Sequence, residues 1–161
     1  MKDDLTNAPN RRAIVRICKK GLEQAQEQQR QLALAVVDFD YFKTINDQFG
    51  HDVGDNVLKR FAAVAKQSLR NHDSFGRLGG EEWLMVFFDA SKEDAKNIFE
   101  RITEELNKTP IDGLPKDYRV TFSMGFTNAH PDDSFDSLYK RADKVLFEAK
   151  DKGRERLIIT D

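Results

Sequence analysis

A single cysteine, Cys18, stands among 161 residues, so the chain can close no internal disulfide and offers neither a paired-thiol redox motif nor a cysteine-rich zinc site. A reducing, cytoplasmic setting is the expectation. Long apolar runs are also missing. The longest aliphatic stretch, "LALAVV" at 32–37, is far too short to cross a bilayer, and the opening "MKDDLTNAPN" lacks the apolar centre of a signal segment. No membrane contact is expected of this domain. Neither sign of charge is in excess: a formal net charge of −2 gives no general attraction to nucleic acid, so any phosphate-bearing ligand must be held by local donors. There is no internal repeat, linker or low-complexity stretch, and the length suits one domain, 1–161, around one sizeable core.

The periodicities supply an element order. "RRAIVRICKKGLEQAQEQQR" (11–30) carries a helical pattern, and "LALAVVDF" (32–39) is aliphatic enough for a strand buried on both faces. A short helix follows, with Asp40 read as its N-cap and Gly50 as its stop signal. The next helix, 54–70, places Val57, Leu58, Phe61, Ala62, Ala65 and Leu69 on one face. "DSFGRL" and "EEWLMVFF" flank Gly79 and Gly80, which are read as the two-residue connection of a β-hairpin. Ser91 caps a helix that repeats Ala95, Ile98, Phe99, Ile102 and Leu106; "YRVTFSMGFT" (118–127) alternates as a strand. Phe135, Leu138, Tyr139, Ala142, Val145, Leu146 and Ala149 define the apolar face of a last helix that stops at Gly153, and "RLIIT" closes the chain as a strand. The predicted fold class is α/β of the α+β kind: a central, mostly antiparallel sheet flanked by helices.

Charge stands where this pattern would bury a strand end. Asp38 follows six aliphatic residues, and a carboxylate there is costly unless paired or bound to a metal. A capping or salt-bridged role is one reading of it; a metal ligand is the other. Glu81 and Glu82 directly follow the glycines, so two strand ends present hard oxygen ligands beside bare backbone. That set suits Mg²⁺, which uses one or two protein carboxylates and fills its shell with phosphate oxygens and water, and it makes phosphoryl or nucleotidyl transfer the leading chemistry. Lys150 and Arg154, four apart at a helix end, either clamp phosphate or complement the helix dipole. Asn46 and Asp55 bracket the link "DQFGHDVG", where they either pair with a guanine edge or form turns; His51, within it, is read as a turn residue.

Five segments, "DDLTNAPNRR", "VVDFDYFKTINDQFGHDVGD", "RLGGEEW", "VTFSMGF" and "RADKVLFEAKDKGR", together resemble the GGDEF family of diguanylate cyclases, in the family's order and spacing and over nearly the whole chain. The resemblance implies a palm-like nucleotidyl cyclase fold that condenses two GTP molecules into cyclic di-GMP and pyrophosphate, each subunit of a homodimer binding one GTP. It implies Mg²⁺, with Mn²⁺ as an alternative, held by Asp38, the carbonyl of Phe39 and Glu81. Glu81 would also be the base for the ribose 3′-hydroxyl, and Glu82 would assist at the metal. Asn46 and Asp55 match guanine-recognition positions, and His51 would lie against the nucleotide. The backbone amides of Tyr41, Phe42 and Lys43 would receive phosphates, Lys43 being counted with the catalytic set. Lys150 and Arg154 match the phosphate-contacting pair, and Gly79 and Gly80 would let base and ribose approach bare backbone. Arg70, Asp73 and Arg101 match the inhibitory product site, although surface Arg and Asp near a helix end need no special purpose.

The segment also departs from the family's pattern. Asn7 and Ala8 replace Gly-Leu, Trp83 stands where Phe is usual, and Glu155 replaces Asn, where its charge is expected to weaken the phosphate clamp. The resemblance further implies the catalytic module of a longer regulated protein. A receptor that binds GTP or cyclic di-GMP without turnover is the competing function; intact carboxylates argue for the enzyme.

Overall fold

The computed structural model describes all 161 residues. Helix α1 (Arg11–Gln28) opens on Asn10, whose side chain accepts from the Ala13 amide and so satisfies one orphan donor of the first turn. It leads into strand β1 (Leu32–Phe39), then α2 (Phe42–Phe49), α3 (His51–Ser68), the hairpin β2 (Ser74–Gly79) and β3 (Glu82–Phe88), α4 (Lys92–Lys108), β4 (Phe122–Asn128), α5 (Phe135–Asp151) and β5 (Leu157–Thr160). The order of elements is the one the periodicities predict. Ser91 caps α4 as expected, in a reciprocal pair with Asp94. The strand expected from Tyr118 begins later, at Phe122, and Leu69 lies just beyond α3 as its C-cap.

The five strands lie in the order β2-β3-β1-β4-β5; the first four are antiparallel, and β5 joins β4 in parallel through the crossover helix α5. Strand β1 is therefore central, and its two sets of alternating side chains feed two different cores. Ala33, Ala35, Val37 and Phe39 face one layer, built with Phe61 of α3 and Ile98 of α4; Leu34 and Val36 face the other, built with Ile14 and Cys18 of α1 and Leu146 of α5. This two-sided burial is why the run reads as continuously aliphatic. Cys18 is buried and unpaired, and burial pushes its thiol up to about 12, so it packs as a small apolar side chain.

Strand β4 packs closely against α5 at Gly125. A Cβ there would come 2.3 Å from the Leu146 amide nitrogen and 2.6 Å from the Ala142 carbonyl oxygen, both backbone atoms that cannot yield cheaply. That bare patch fixes α5 on the sheet, and α5 in turn delivers Tyr139 and Lys150 to the sheet's end. No helix is long and apolar enough to cross a membrane.

Candidate active site

The alternation that sorts the core places charge at the end of β1. Asp38 is the next residue after Val36 on the α1/α5 side, and the antiparallel register sets it directly opposite Glu82 of β3. Two carboxylates in one cross-strand pair repel, so the arrangement loses stability unless a cation intervenes. Burial pushes the Asp38 carboxyl up from 3.8 to about 6; Lys150 opposes the shift, while Glu81, Glu82 and Asp40 add to it. The folded protein thus holds a proton that the unfolded chain releases between about pH 4 and 6, so this group lowers stability as pH rises through that window. Two pKa units correspond to about 3 kcal/mol, which solvent at the open edge reduces to about 1–2 kcal/mol. Asp38→Asn is therefore expected to stabilise the metal-free protein by that amount at pH 7.5, with the gap closing near pH 4. Denaturant melts across that range, in chelator, check it; an Asn variant no more stable than the parent at pH 7.5 would sink the account.

The hairpin turn is framed one residue later than the sequence suggests. Gly79 ends β2 and pairs with Glu82, and the connection is Gly80–Glu81, so Glu81 stands at the tip and Glu82 on the strand. A register shift between Arg77 and Gly79 makes the difference, leaving Leu78 as the extra residue of a bulge. Gly80 sits at φ +54, in the left-handed region that favours glycine, and a Cβ on either glycine would meet open space. Arg77, which sequence reasoning passed over, braces this turn: its Nε donates to the Gly80 carbonyl at 3.0 Å, and its Nη1 reaches the Asp3 carboxylate at 3.2 Å. Trp83 follows, fully buried between Phe61 and Phe75, and its Nε1 donor has no hydrogen-bond partner. The larger ring is accommodated under the hairpin, as expected.

Asp40 is not a helix cap. Tyr41 precedes α2 in the left-handed conformation, φ 58, with no side-chain cap, which leaves the first-turn amides without one. The Asp40 carboxylate is turned inward and accepts from Thr121 Oγ1 and Ser123 Oγ at 2.7 Å, Lys150 Nζ at 2.8 Å and the Glu155 amide at 3.0 Å. Burial alone would raise its pKa, but the hydrogen bonds from Lys150, Ser123 and Thr121 outweigh that and hold it below the ordinary carboxylate range. Its partners lie 81 to 115 residues away in sequence, so no local pattern announces them.

Lys150 reaches the same spot from α5. Its ammonium lies 3.0 Å from the Phe39 carbonyl, 3.2 Å from the Asp38 carbonyl and 3.7 Å from Asp38 Oδ2. The expected metal ligands Asp38 and Phe39 are thus held together by a cation, while Arg154, at φ 65, lies over the Tyr41 ring, 5.1 Å from its centroid. Glu155 does not add free charge to that end: its carboxylate pairs with Arg119 Nε. Lys43 is a different case. Its ammonium is in solvent, 91% exposed and paired with Asp47, apart from the carboxylates.

Asn46, Asp55 and His51 are helical rather than turn residues: Asn46 lies on α2, His51 opens α3 and Asp55 stands one turn along it. Gly54 makes room for the Asn46 amide, since a Cβ there would lie 1.9 Å from Asn46 Oδ1. That oxygen is buried against Gly54 without a hydrogen-bond partner. At the other end of β3, Arg70 clasps the buried Asp73 carboxylate through Nε and Nη2 at 2.9 and 2.8 Å and also reaches the Phe88 carbonyl and the Asp94 carboxylate; Arg101 donates to the Ser68 carbonyl at 2.7 Å. These arginines already tie the ends of α3 and β3 to α4.

Tyr139 is the second residue that sequence reasoning missed, having been counted on the apolar face of α5. Its hydroxyl donates to Glu82 Oε1 at 2.7 Å, and burial together with that carboxylate raises the phenol pKa, so it stays a donor. As to metal, no three histidine, cysteine or acidic side chains form a preformed cage. Two or three carboxylates beside the Phe39 carbonyl nevertheless match an ion that draws the rest of its shell from phosphate and water.

With this geometry in view, the comparisons are specific. The family described as "Diguanylate cyclase, GGDEF domain" matches residues 1–156. The diguanylate cyclase DgcP of Pseudomonas aeruginosa is 34% identical over 157 residues, 98% of this chain and 23% of DgcP; diguanylate cyclase A of Treponema denticola is 36% identical over 83% of this chain and 36% of its own length. The chain thus spans well under half of these relatives. Among solved structures, the P. aeruginosa diguanylate cyclase SiaD, in complex with its activator SiaC, superposes with a TM-score of 0.92 at 33% identity, over 99% of this chain and 61% of that one. The GGDEF domain of Caulobacter crescentus DgcB, in complex with c-di-GMP, gives 0.90 at 31% identity over 98% and 94%. The chain belongs to the GGDEF family of diguanylate cyclase domains.

Proposed function

We propose that this chain acts as one catalytic domain that condenses two GTP into cyclic di-GMP and two pyrophosphates, each subunit of a homodimer presenting one GTP to the other. The observation that carries the reading is the pairing of Asp38 with Glu82 across β1 and β3, with Glu81 at the adjoining turn. A fold that only bound a neutral ligand would have no reason to oppose like charges there.

Asp38, the Phe39 carbonyl and Glu81 are the groups that would hold Mg²⁺, or Mn²⁺ in its place, with Glu82 assisting. The ion, when bound, supplies positive charge at the α-phosphate and acidifies the attacking hydroxyl. Glu81 takes the proton of the ribose 3′-hydroxyl as its oxygen forms a bond to the α-phosphorus of the facing GTP; the bond to the β-phosphate oxygen breaks, and pyrophosphate leaves. Asn46, through its unpartnered Oδ1, and Asp55 fit the guanine edge, with the exposed His51 beside the nucleotide. Phosphates would meet the uncapped amides of Tyr41, Phe42 and Lys43, and Lys150 and Arg154 from α5. Lys43 contributes by that amide rather than as a catalytic side chain. The open space over Gly79 and Gly80 leaves room for base and ribose.

The test is chromatographic: product from GTP and Mg²⁺ over a range of protein concentrations. Synthesis rising faster than protein concentration supports catalysis across a dimer; confirmed GTP binding without product at any concentration would overturn the enzyme in favour of a silent receptor.

Product feedback rests on Arg70, Asp73 and Arg101. Arg70 already spends its guanidinium on Asp73, the Phe88 carbonyl and Asp94, so a product molecule would have to compete for it. Arg70→Ala and Arg101→Ala are each expected to weaken inhibition by cyclic di-GMP at least tenfold while leaving turnover without added product within about threefold; each loses a charged hydrogen bond of about 1.5–3 kcal/mol. Inhibition surviving both substitutions would remove these residues from the account.

A further inference from the structure

Glu82 lies on β3, and the strand alone does not determine where its carboxylate points: three torsions separate it from the backbone. The structure supplies a restraint from a distant element. Tyr139 stands one turn into α5, its ring stacked on Phe135 with centroids 5.9 Å apart and planes 19° apart. From that anchored ring the hydroxyl reaches 2.7 Å to Glu82 Oε1, a contact between residues 57 apart in sequence. One carboxylate oxygen is thereby occupied and the other, Oε2, is left over. Glu82 stands opposite Asp38, so the orientation of that second oxygen bears on the space over this carboxylate pair at the paired ends of β1 and β3.

We propose that Tyr139 is a positioning residue, whose hydroxyl fixes the Glu82 carboxylate so that its second oxygen is ready for the divalent cation. The inference rests on the reading of Asp38, Glu81 and Glu82 as a metal site. An anchored donor on a ligating carboxylate removes rotamer freedom before the ion arrives, and removing such partners typically costs about 10–100-fold in metal affinity or activity. The phenol is suited to this because the ring's packing, not the hydrogen bond, sets its position; Phe at 139 keeps that packing and deletes the donor alone.

The experiment compares the parent with Tyr139→Phe, titrating Mn²⁺ in the presence of a non-hydrolysable GTP analogue and reading free ion by electron paramagnetic resonance. Affinity is expected to fall about tenfold or more, with a melting midpoint within about 3 °C of the parent's. In turnover the half-saturating metal concentration rises in step, while kcat at saturating metal stays within about twofold. The same substitution in a Glu82→Gln background is expected to have little further effect, because the hydroxyl acts through Glu82. Equal Mn²⁺ affinity for parent and Phe variant would overturn the proposal, as would an undiminished effect in the Gln background. If the parent gives no cyclic di-GMP while the affinity shift persists, the cyclase reading fails and the positioning role stands.

Discussion

Glu81→Gln is expected to abolish cyclic di-GMP synthesis, lowering kcat at least about 1,000-fold, while the folded protein keeps its thermal midpoint and its affinity for GTP within a few fold. The magnitude follows from the two roles proposed for this one side chain. A general base contributes about 10²–10⁴-fold, and a metal-ligating carboxylate positions the charge that makes the hydroxyl acidic in the first place. Stability is spared because Glu81 occupies the hairpin tip rather than a strand, half-exposed, with its backbone conformation set by Gly80 and the Arg77 brace. Substitutions at such positions usually move stability by about 0.5 kcal/mol or less. Chromatography of product at saturating GTP and metal, beside a melt and a nucleotide titration, checks all three. Activity within tenfold of the parent would move the base to another residue and leave Glu81 as an accessory ligand.

Asp40→Ala should behave in the opposite way, failing as a fold before it fails as an enzyme. The carboxylate gathers donors from β4, α5 and the segment after α5 into one buried point. Removing it leaves Lys150 with two carbonyls and the more distant Asp38 carboxylate, and leaves Thr121, Ser123 and the Glu155 amide without their acceptor. Breaking a buried charge pair from one side costs about 3–5 kcal/mol, a large part of the 5–15 kcal/mol that holds a domain of this size together. A fall of about 10–15 °C in melting midpoint is expected. Asp40→Asn, which retains an acceptor, should lose less. A melt of the Ala variant within about 3 °C of the parent would show that the network is decorative.

The element order and the two-sided burial of β1 were legible because both follow from local periodicity: six aliphatic residues in a row admit few other readings. The candidate site residues Asp38, Glu81 and Glu82 stand out in the sequence because charge interrupts that periodicity. Three features were not. The turn frame slipped by one because a bulge at Leu78 leaves no mark on composition. His51 and the rest of the link 47–54 read as a turn because Gly50 looks like a long break, whereas the chain turns there in a single residue and starts α3 at once. Asp40 and Tyr139 owe their roles to partners brought close only by folding, and for such residues a sequence shows a plausible local reading, cap or core, that tertiary contacts override.

Trp83 brings a property of a different kind. It is the chain's one tryptophan, and it lies one residue past Glu82, in an apolar stack with Phe61 and Phe75 and with no hydrogen bond to its indole nitrogen. The protein therefore carries a single indole fluorophore, shielded from water, placed at the root of the hairpin and excitable apart from its three tyrosines. Its emission reports the tightness of that stack alone, undiluted by other indoles, so hairpin motion on nucleotide or metal binding can be followed optically in the unlabelled protein, including variants that no longer turn over.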